Sequence, residues 1–235
     1  MVRLAGTDVK AFVFDWYLTL VEYEELLPTC ADIIRAQGYE CSDELAEVWL
    51  PAAFDGCETP VGPGGDYRAW RMKLLRSLLA VCQVPPQEHD ELAGRILAME
   101  EAHRLRVMPG AREVLAFLRE QGIPVGVCSN WDYDLSHSLR HTGLAGLVDG
   151  WVTSAQIGFR KPHGAMFAAA CKAIGAEPGQ VAFCGDTWST DIAGSLRAGM
   201  TPIWLSSEAT QEPHVLTVSS LSELLHLLHA QSDLT

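Results

Sequence analysis

The sequence predicts an α/β protein with a Rossmann-like parallel sheet core, helices on both faces of the sheet, and a small all-α cap domain. Short, almost continuously apolar runs alternate with amphipathic helical patterns, which is typical of parallel strands that are buried on both faces. A long segment in the N-terminal half shows helical patterns only. At 235 residues, the chain is long enough for a core domain that carries a smaller one.

Five apolar runs are predicted to be strands of the core, and four amphipathic segments are predicted to be helices between them. The predicted strands are Lys10–Phe14, Ile123–Cys128, Leu147–Thr153, Gln180–Cys184 and Pro202–Leu205. The predicted helices are Ala111–Gln121, Leu135–His141, Gly164–Ile174 and Ile192–Ala198. A last helix is expected to begin at Ser220, because Glu223 completes a capping box three residues later.

The stretch from Glu22 to Arg106 is predicted to form the cap, because it is helix-like throughout and shows no strand alternation. A Gly/Pro-rich loop, Phe54–Asp66, and the pair Pro85-Pro86 break its helices. The predicted domains are therefore an α/β core of residues 1–21 and 107–235 and a helical cap of residues 22–106.

The charge balance narrows the choice of partners. The chain has 17 basic and 30 acidic residues, a net charge of −13, which disfavours nucleic acid and anionic membranes as partners. The seven cysteines show no C-x-x-C spacing and are expected to be reduced. With no signal-peptide core and no membrane-length apolar run, we expect a cytoplasmic monomer or homodimer that acts on a small anionic molecule.

Polar residues follow the predicted strands at the places where a parallel sheet binds its ligands, beyond the carboxyl ends. Asp15 follows the first strand, Ser129-Asn130 the second, and Asp186 with Asp191 the fourth, while Arg160–Pro162 places a cation in a rigid turn. Taken singly, each has a simpler interpretation. The aspartate could cap a turn, the serine could cap a helix, and the lysine could be exposed.

Taken together and in this order, the motifs resemble those of the haloacid dehalogenase superfamily. They read Asp15-x-x-x-Thr19, then Ser129, then Lys161-Pro162, then Gly185-Asp186-x-x-x-x-Asp191. The separation 129 − 15 = 114 leaves room for the helical cap that many members insert after their first strand. The resemblance implies a hydrolase with Asp15, Thr19, Ser129 and Lys161 as catalytic residues.

The chemistry of these residue types agrees with that resemblance. Asp15 would attack an electrophilic carbon or phosphorus, giving an ester or acyl phosphate that water then opens. Lys161 would neutralise the nucleophile and the substrate anion, and Ser129 with Asn130 would hold the substrate's oxygens. Thr19 would hydrogen-bond to the loop or to the nucleophile's carboxylate.

Three carboxylates in one cleft, those of Asp15, Asp186 and Asp191, are unfavourable unless a cation lies among them. A hard Mg²⁺ bound by oxygen ligands satisfies this requirement. In metal-dependent members of the superfamily the backbone carbonyl at the position of Tyr17 is a further ligand. The resemblance therefore implies a Mg²⁺ site of Asp15, Tyr17 and Asp186, with Asp191 as a ligand or as a partner of one.

The sequence departs from the phosphatase pattern at Tyr17. Most phosphatases of the superfamily have a second aspartate there as general acid and base, a role typically worth about 10²–10⁴ in rate. Members that cleave carbon–halogen bonds have Asp-x-Tyr-x-Thr instead, but they lack the Gly185-Asp186 arrangement. The leading hypothesis is Mg²⁺-dependent hydrolysis of a small phosphorylated metabolite. The alternatives are a metal-independent 2-haloacid dehalogenase and a catalytically silent binding protein.

Aromatic residues follow the motif residues closely. Trp16, Tyr17, Trp131, Tyr133 and Trp188 each lie within four residues of one. They either pack the catalytic loops against the cap or line an apolar pocket for a hydrophobic part of the substrate. On the second interpretation Trp16, Tyr17 and Trp188 join Ser129, Asn130 and Lys161 as substrate-binding residues.

Overall fold

Six parallel strands form the central sheet of the computed structural model, which confirms the predicted fold class. The structure describes residues 2–4, 6–25, 28–46, 66–131, 134–208 and 210–232. The six strands are β3 (Ala11–Phe14), β6 (Val125–Ser129), β7 (Gly150–Thr153), β8 (Val181–Gly185), β9 (Thr201–Leu205) and β10 (Leu216–Val218). Their order across the sheet is β10-β9-β8-β3-β6-β7.

All five predicted core strands are present, with shifted ends. The strand predicted from Ile123 begins at Val125, because Pro124 lacks the N–H that a central strand donates. The strand predicted from Leu147 begins at Gly150, since a 3₁₀ turn occupies Ala145–Leu147. The edge strand β10 was not predicted, because three residues are too few to show a period.

Helices cover the sheet and build the cap. Those of the core are Ala111–Glu120, Leu135–His141, Ser154–Ile157, Gly164–Ala173, Ala193–Arg197 and Leu221–Ser232. The helix predicted from Ile192 is preceded by a π-helical turn, Trp188–Ile192. At the last helix, Ser220 Oγ accepts the Glu223 N–H at 3.1 Å, as the capping box predicts, whereas Glu223 Oε2 accepts the N–H of Ser219 instead of that of Ser220. None of the described helices combines the length and apolarity needed to cross a bilayer.

Both faces of the sheet are buried, as the side chains of β3 show. Phe12 and Phe14 enter one hydrophobic cluster, with residues of the helices Ala111–Glu120 and Leu221–Ser232. Ala11 and Val13 point the other way, into a cluster with Met166 and Phe167. Alternate residues of a strand face opposite sides, so the continuous apolar run reflects a strand that is covered on both faces.

The cap has its own hydrophobic cluster, which includes Ile34, Leu75, Leu78, Ile96 and Leu97. Its helices include Cys30–Ala36, Tyr67–Val81 and His89–Ala102, residues 43–46 are helical as well, and a 3₁₀ turn spans Pro86–Glu88. Apart from Asp66, the predicted Gly/Pro-rich loop lies outside the described residues.

The expectation that residues 22–106 are helical throughout needs correction at both ends. Strand β4 (Val21–Tyr23) pairs antiparallel with β5 (Leu105–Val107), so a two-stranded ribbon carries the chain into and out of the cap. Three-residue strands give no readable alternation in sequence. The domain boundaries at 22 and 106 stay a prediction, and they fall within this ribbon. A second short hairpin joins β1 (Val2–Leu4) to β2 (Thr7–Val9).

A test of the sheet packing is the exchange Gly150→Ala. A Cβ atom at position 150 would lie 2.6 Å from the carbonyl oxygen of Ala173, at the end of the packed helix Gly164–Ala173. Overpacking of this kind costs about 1–3 kcal/mol, so urea titration should show that loss in the free energy of unfolding. Gly146→Ala is the matched control, since its Cβ would meet open space. Equal stability of the two variants would contradict the close contact.

Candidate active site

The carboxyl ends of three adjacent strands bring the predicted catalytic residues together. Strand β3 lies between β6 and β8, with Phe14 opposite both Val127 and Cys184. Asp15 is the next residue, and its N–H donates to the carbonyl of Cys184 at 2.8 Å. Ser129 ends β6 and is buried beside Thr153 of β7. The nucleophile candidate is therefore fixed by the sheet itself.

A buried ammonium group lies between two carboxylates. Lys161 Nζ is 2.7 Å from Asp15 Oδ1 and 2.7 Å from Asp191 Oδ1. All three side chains are buried, and Asp191 has no exposed surface. Buried charges are tolerated when they are paired and hydrogen-bonded, so this triad joins the first, third and fourth motifs into one unit.

Asp191 reaches Lys161 from the π-helical turn. Its Oδ2 accepts the N–H of Thr187 at 3.1 Å, while Oδ1 faces the ammonium group. Gly185 makes this approach possible, because a Cβ atom there would lie 2.5 Å from Asp191 Oδ2. The glycine of the fourth motif is thus required by packing against the second aspartate of the same motif.

Thr19 contacts Asp186 in the structure. Its Oγ1 donates to Asp186 Oδ1 at 3.3 Å, which corrects the expectation that it would bind its own loop or the carboxylate of Asp15. Thr187 Oγ1 donates to the other oxygen of Asp186 at 3.1 Å, and Trp204 Nε1 donates to its backbone carbonyl at 3.0 Å. Asp186 is held from several sides yet remains only partly buried.

Burial and the charges within the cluster shift the pKa values of its members. Burial raises the pKa of Asp15 to about 6, an effect that Lys161 opposes and the charge of Asp191 reinforces. Burial, and then the charge of Asp191, also raises the pKa of Asp186. Burial lowers the pKa of Lys161, but the two adjacent carboxylates outweigh this and raise it. Lys161 therefore stays charged, and the carboxylates carry more negative charge than it compensates.

The donor atoms fit a hard divalent cation. Carboxylate oxygens of Asp15, Asp186 and Asp191 all lie within 4.8 Å of one another. With all three ionised, one ammonium group leaves two negative charges in excess, and an all-oxygen donor set suits Mg²⁺. Asp15 and Asp186 are better placed as ligands than Asp191, because Asp186 is only partly buried and Asp15 keeps some exposed surface, whereas Asp191 has none.

Asn130 holds the backbone of Lys161. Its Oδ1 accepts the Lys161 N–H at 2.6 Å, and its Nδ2 donates to the Lys161 carbonyl at 3.0 Å. The side-chain amide was expected to bind substrate, but in the structure it fixes the turn that carries Lys161. Sequence reasoning could not find this contact, because 31 residues separate the pair.

A cleft of about 1340 Å³ opens beside these residues, between the core and the cap. From the core, Tyr17, Asn130 and Arg160 line it, each within two residues of a catalytic candidate. From the cap side come Tyr23, Tyr67, Arg71 and His103, among others. Asp15, Ser129, Lys161 and Asp186 do not line the cleft themselves, but their neighbours in the chain do, so the cleft lies near the carboxyl ends of the strands.

Three aromatic rings form one side of this cleft, and we call Tyr17, Tyr23 and Trp131 the aromatic wall. The Tyr17 and Tyr23 ring centroids are 4.7 Å apart, and Trp131 lies 6.4 Å from Tyr17 and 6.5 Å from Tyr23. The His103 ring packs against Tyr23 at a tilt of 39°, with the centroids 4.3 Å apart, and His103 also lines the cleft. Sequence reasoning missed Tyr23 and His103, since they follow no motif and reach the site through the ribbon.

Trp16 and Trp188, the other two tryptophans that closely follow motif residues, pack outside the cleft. Trp16 is completely buried in the core cluster with Phe14 and Leu20. Trp188 packs edge-on against Trp204, with centroids 4.9 Å apart. Neither lines the cleft, so we do not retain them as substrate contacts. Tyr133 lies outside the described residues.

Comparison with known proteins agrees with the geometry. The model of the haloacid dehalogenase-like hydrolase family matches residues 9–199. A glyceraldehyde 3-phosphate phosphatase of Methanothermobacter thermautotrophicus is 32% identical over 113 residues, 46% of this chain and 48% of that protein. The matched segment thus spans about half the length of that relative. Haloacetate dehalogenase H-2 of a Moraxella species is 23% identical over 228 residues, 94% of this chain and 98% of that protein.

Solved structures share the fold. A 2-haloacid dehalogenase from Pseudomonas syringae pv. Tomato superposes with a TM-score of 0.64 at 22% identity, covering 94% of this chain and 99% of that one. At this identity the likeness concerns the fold alone. The relatives thus include both phosphatases and dehalogenases. Since the family model matches most of its length, this chain belongs to the haloacid dehalogenase-like hydrolases.

Proposed function

We propose that this protein hydrolyses a small phosphorylated molecule with the help of Mg²⁺, using Asp15 as a covalent nucleophile. The observation that carries the proposal is the position of Asp186, whose carboxylate lies within 4.8 Å of those of Asp15 and Asp191. A metal-independent dehalogenase would not need these three carboxylates close together, because it binds no cation there. The similarity to a glyceraldehyde 3-phosphate phosphatase supports the same conclusion.

In the proposed mechanism Asp15 attacks phosphorus, and water later opens the resulting acyl phosphate. Lys161 holds the Asp15 carboxylate and attracts the phosphate, and Ser129 holds one of its oxygens. Asp15, Asp186 and the Tyr17 carbonyl would hold Mg²⁺, which supplies positive charge to the phosphoryl oxygens. Thr19 orients Asp186 through its hydroxyl.

The tyrosine at position 17 restricts the leaving group. A carboxylic acid at this position would protonate a departing alkoxide, whereas a tyrosine phenol, with an unperturbed pKa of about 10, is a much weaker acid. We therefore propose that the enzyme acts on esters whose leaving group departs without strong acid catalysis. The partly covered cleft, closed on one side by the cap, is the proposed binding site of that group.

The second candidate is a 2-haloacid dehalogenase. The Asp15-x-Tyr17-x-Thr19 arrangement favours it, as does the nearly full-length match to haloacetate dehalogenase H-2. A halide leaves without a proton, so Tyr17 would be no handicap. In that reaction Asp186 would have no role as a metal ligand.

A paired assay separates the two candidates. Phosphate release from phenyl phosphate is expected only with Mg²⁺, to stop in EDTA, and to be absent in Asp15→Asn; halide release from a 2-haloacid is expected to be absent. Mg²⁺ should also raise the thermal unfolding midpoint of the wild type, because it relieves repulsion among the carboxylates. Asp186→Asn should remove that rise. EDTA-insensitive phosphate release, or halide release alone, would disprove the proposal.

The hydrogen bonds of Asn130 lead to a prediction about positioning. Asn130→Ala leaves the backbone of Lys161 without two bonds and is expected to lower kcat by about 10²-fold, the cost of a small misplacement in an active site. KM should change much less. Asn130→Asp keeps an acceptor for the Lys161 N–H and should recover part of the loss. If kcat in Asn130→Ala stays at the wild-type value, the contact has no catalytic consequence.

The leaving-group restriction predicts a gain of function. Tyr17→Asp places a carboxyl group where it can protonate an alkoxide, so turnover of alkyl phosphates should rise by about 10-fold or more. Steady-state phosphate release from a simple alkyl monophosphate measures this. Tyr17→Phe is the control and should bring no gain. An unchanged rate in Tyr17→Asp would indicate that the loop is not arranged for protonating a leaving group.

A further inference from the structure

The aromatic wall is a partly exposed apolar surface that lines the cleft. Its three rings come from separate segments: the loop after β3, strand β4, and the loop after β6. All three line the cleft and none is fully buried. The ring centroids are 4.7–6.5 Å apart and the ring planes are inclined by 35–46° to one another, so the three rings form a contiguous aromatic surface against which the face or edge of a flat ring can pack.

The wall begins close to the reacting groups. Tyr17 follows Asp15 by two residues and Trp131 follows Ser129 by two, so their Cα atoms lie within about 7 Å of the Cα atoms of these residues. A ring bonded directly to a phosphate oxygen is therefore within reach of the wall while its phosphorus faces Asp15. A ring separated from the phosphate by a sugar would lie deeper in the cleft.

Several charged residues that line the cleft are already paired. Arg71 Nη2 is 2.6 Å from Glu100 Oε1, and Arg68 forms an ion pair with Glu101. Asp134 accepts the indole N–H of Trp151 at 3.1 Å. Because these charges have partners within the protein, the rings are the part of the cleft that we expect to select a substrate by shape.

We propose that the substrate is a phosphate monoester of a planar aromatic alcohol, whose ring stacks on the aromatic wall while its phosphorus faces Asp15. This inference rests on the proposed phosphoryl transfer and specifies its substrate class. It also agrees with the leaving-group restriction, because a phenolate departs more readily than an alkoxide.

The bond changes are those of a double displacement. An oxygen of Asp15 forms a bond to phosphorus as the bond from phosphorus to the aryl oxygen breaks, and the phenolate leaves with the electron pair. Water then attacks the phosphorus of the acyl phosphate, which releases inorganic phosphate and restores the carboxylate of Asp15. The proton of that water passes to solvent, and the phenolate takes one from solvent.

The test compares kcat/KM for phenyl phosphate and for hexafluoroisopropyl phosphate, which has a leaving alcohol of similar acidity but no ring. The wild type should prefer the aromatic ester about 10-fold, since one stack of rings is worth up to about that factor. Trp131→Leu and Tyr23→Leu should each lower this ratio about 3- to 10-fold. A ratio measured on one preparation does not depend on the fraction that is folded.

Tyr39→Leu is the control variant. Tyr39 belongs to the cap, donates its hydroxyl to Glu88 at 2.8 Å, and does not line the cleft, so its ratio should equal that of the wild type. A wild-type ratio near one, or a ratio unaffected by both wall variants, overturns stacking but leaves phosphoryl transfer in place. A stronger preference for a nucleoside 5′-monophosphate likewise overturns the aryl ester. No phosphate release from any ester disproves both proposals.

Discussion

The site depends on one interaction, the pairing of the buried ammonium group of Lys161 with the carboxylates of Asp15 and Asp191. Each of its 2.7 Å contacts joins parts of the chain that are far apart in sequence. A buried charge without its partner costs several kcal/mol, so the strands, the turn at Lys161 and the π-helical turn are held in one arrangement. Asn130 and Gly185 serve that arrangement, one through hydrogen bonds and the other by leaving space.

The same triad bears on the proposed transfer of an anionic phosphoryl group. Lys161 compensates only part of the charge of Asp15, Asp186 and Asp191, and burial, together with the charge of Asp191, raises the pKa of Asp15 and of Asp186. A divalent cation would remove that excess and bring its own attraction for phosphate oxygens. Tyr17 would then limit the choice of leaving group, because the proposed site would activate the phosphorus more readily than it would protonate a departing alkoxide.

The sequence predicted most of the core because its signals are local. The strand of Ala11–Phe14 is a short apolar run, and Asp15 follows it at the position where parallel sheets place their ligands. The contacts that define the geometry of the site join residues that are far apart in sequence. Thr19 meets Asp186 across 167 residues, and Tyr23 reaches the cleft only because the ribbon of β4 and β5 folds back on itself. Trp16 was misjudged for a related reason, since proximity to the nucleophile in sequence does not say which way a ring points.

The most direct measurement for the central claim is the chemical identity of the intermediate. Wild-type protein is mixed with phenyl phosphate and Mg²⁺, quenched in acid within a single turnover, digested and analysed by mass spectrometry. We expect one phosphorylated peptide, with the phosphoryl group on Asp15, and none in the Asp15→Asn variant. A phosphoryl group on another residue, or phosphate release by the Asp15→Asn variant at the wild-type rate, would contradict the assignment of Asp15 as the nucleophile.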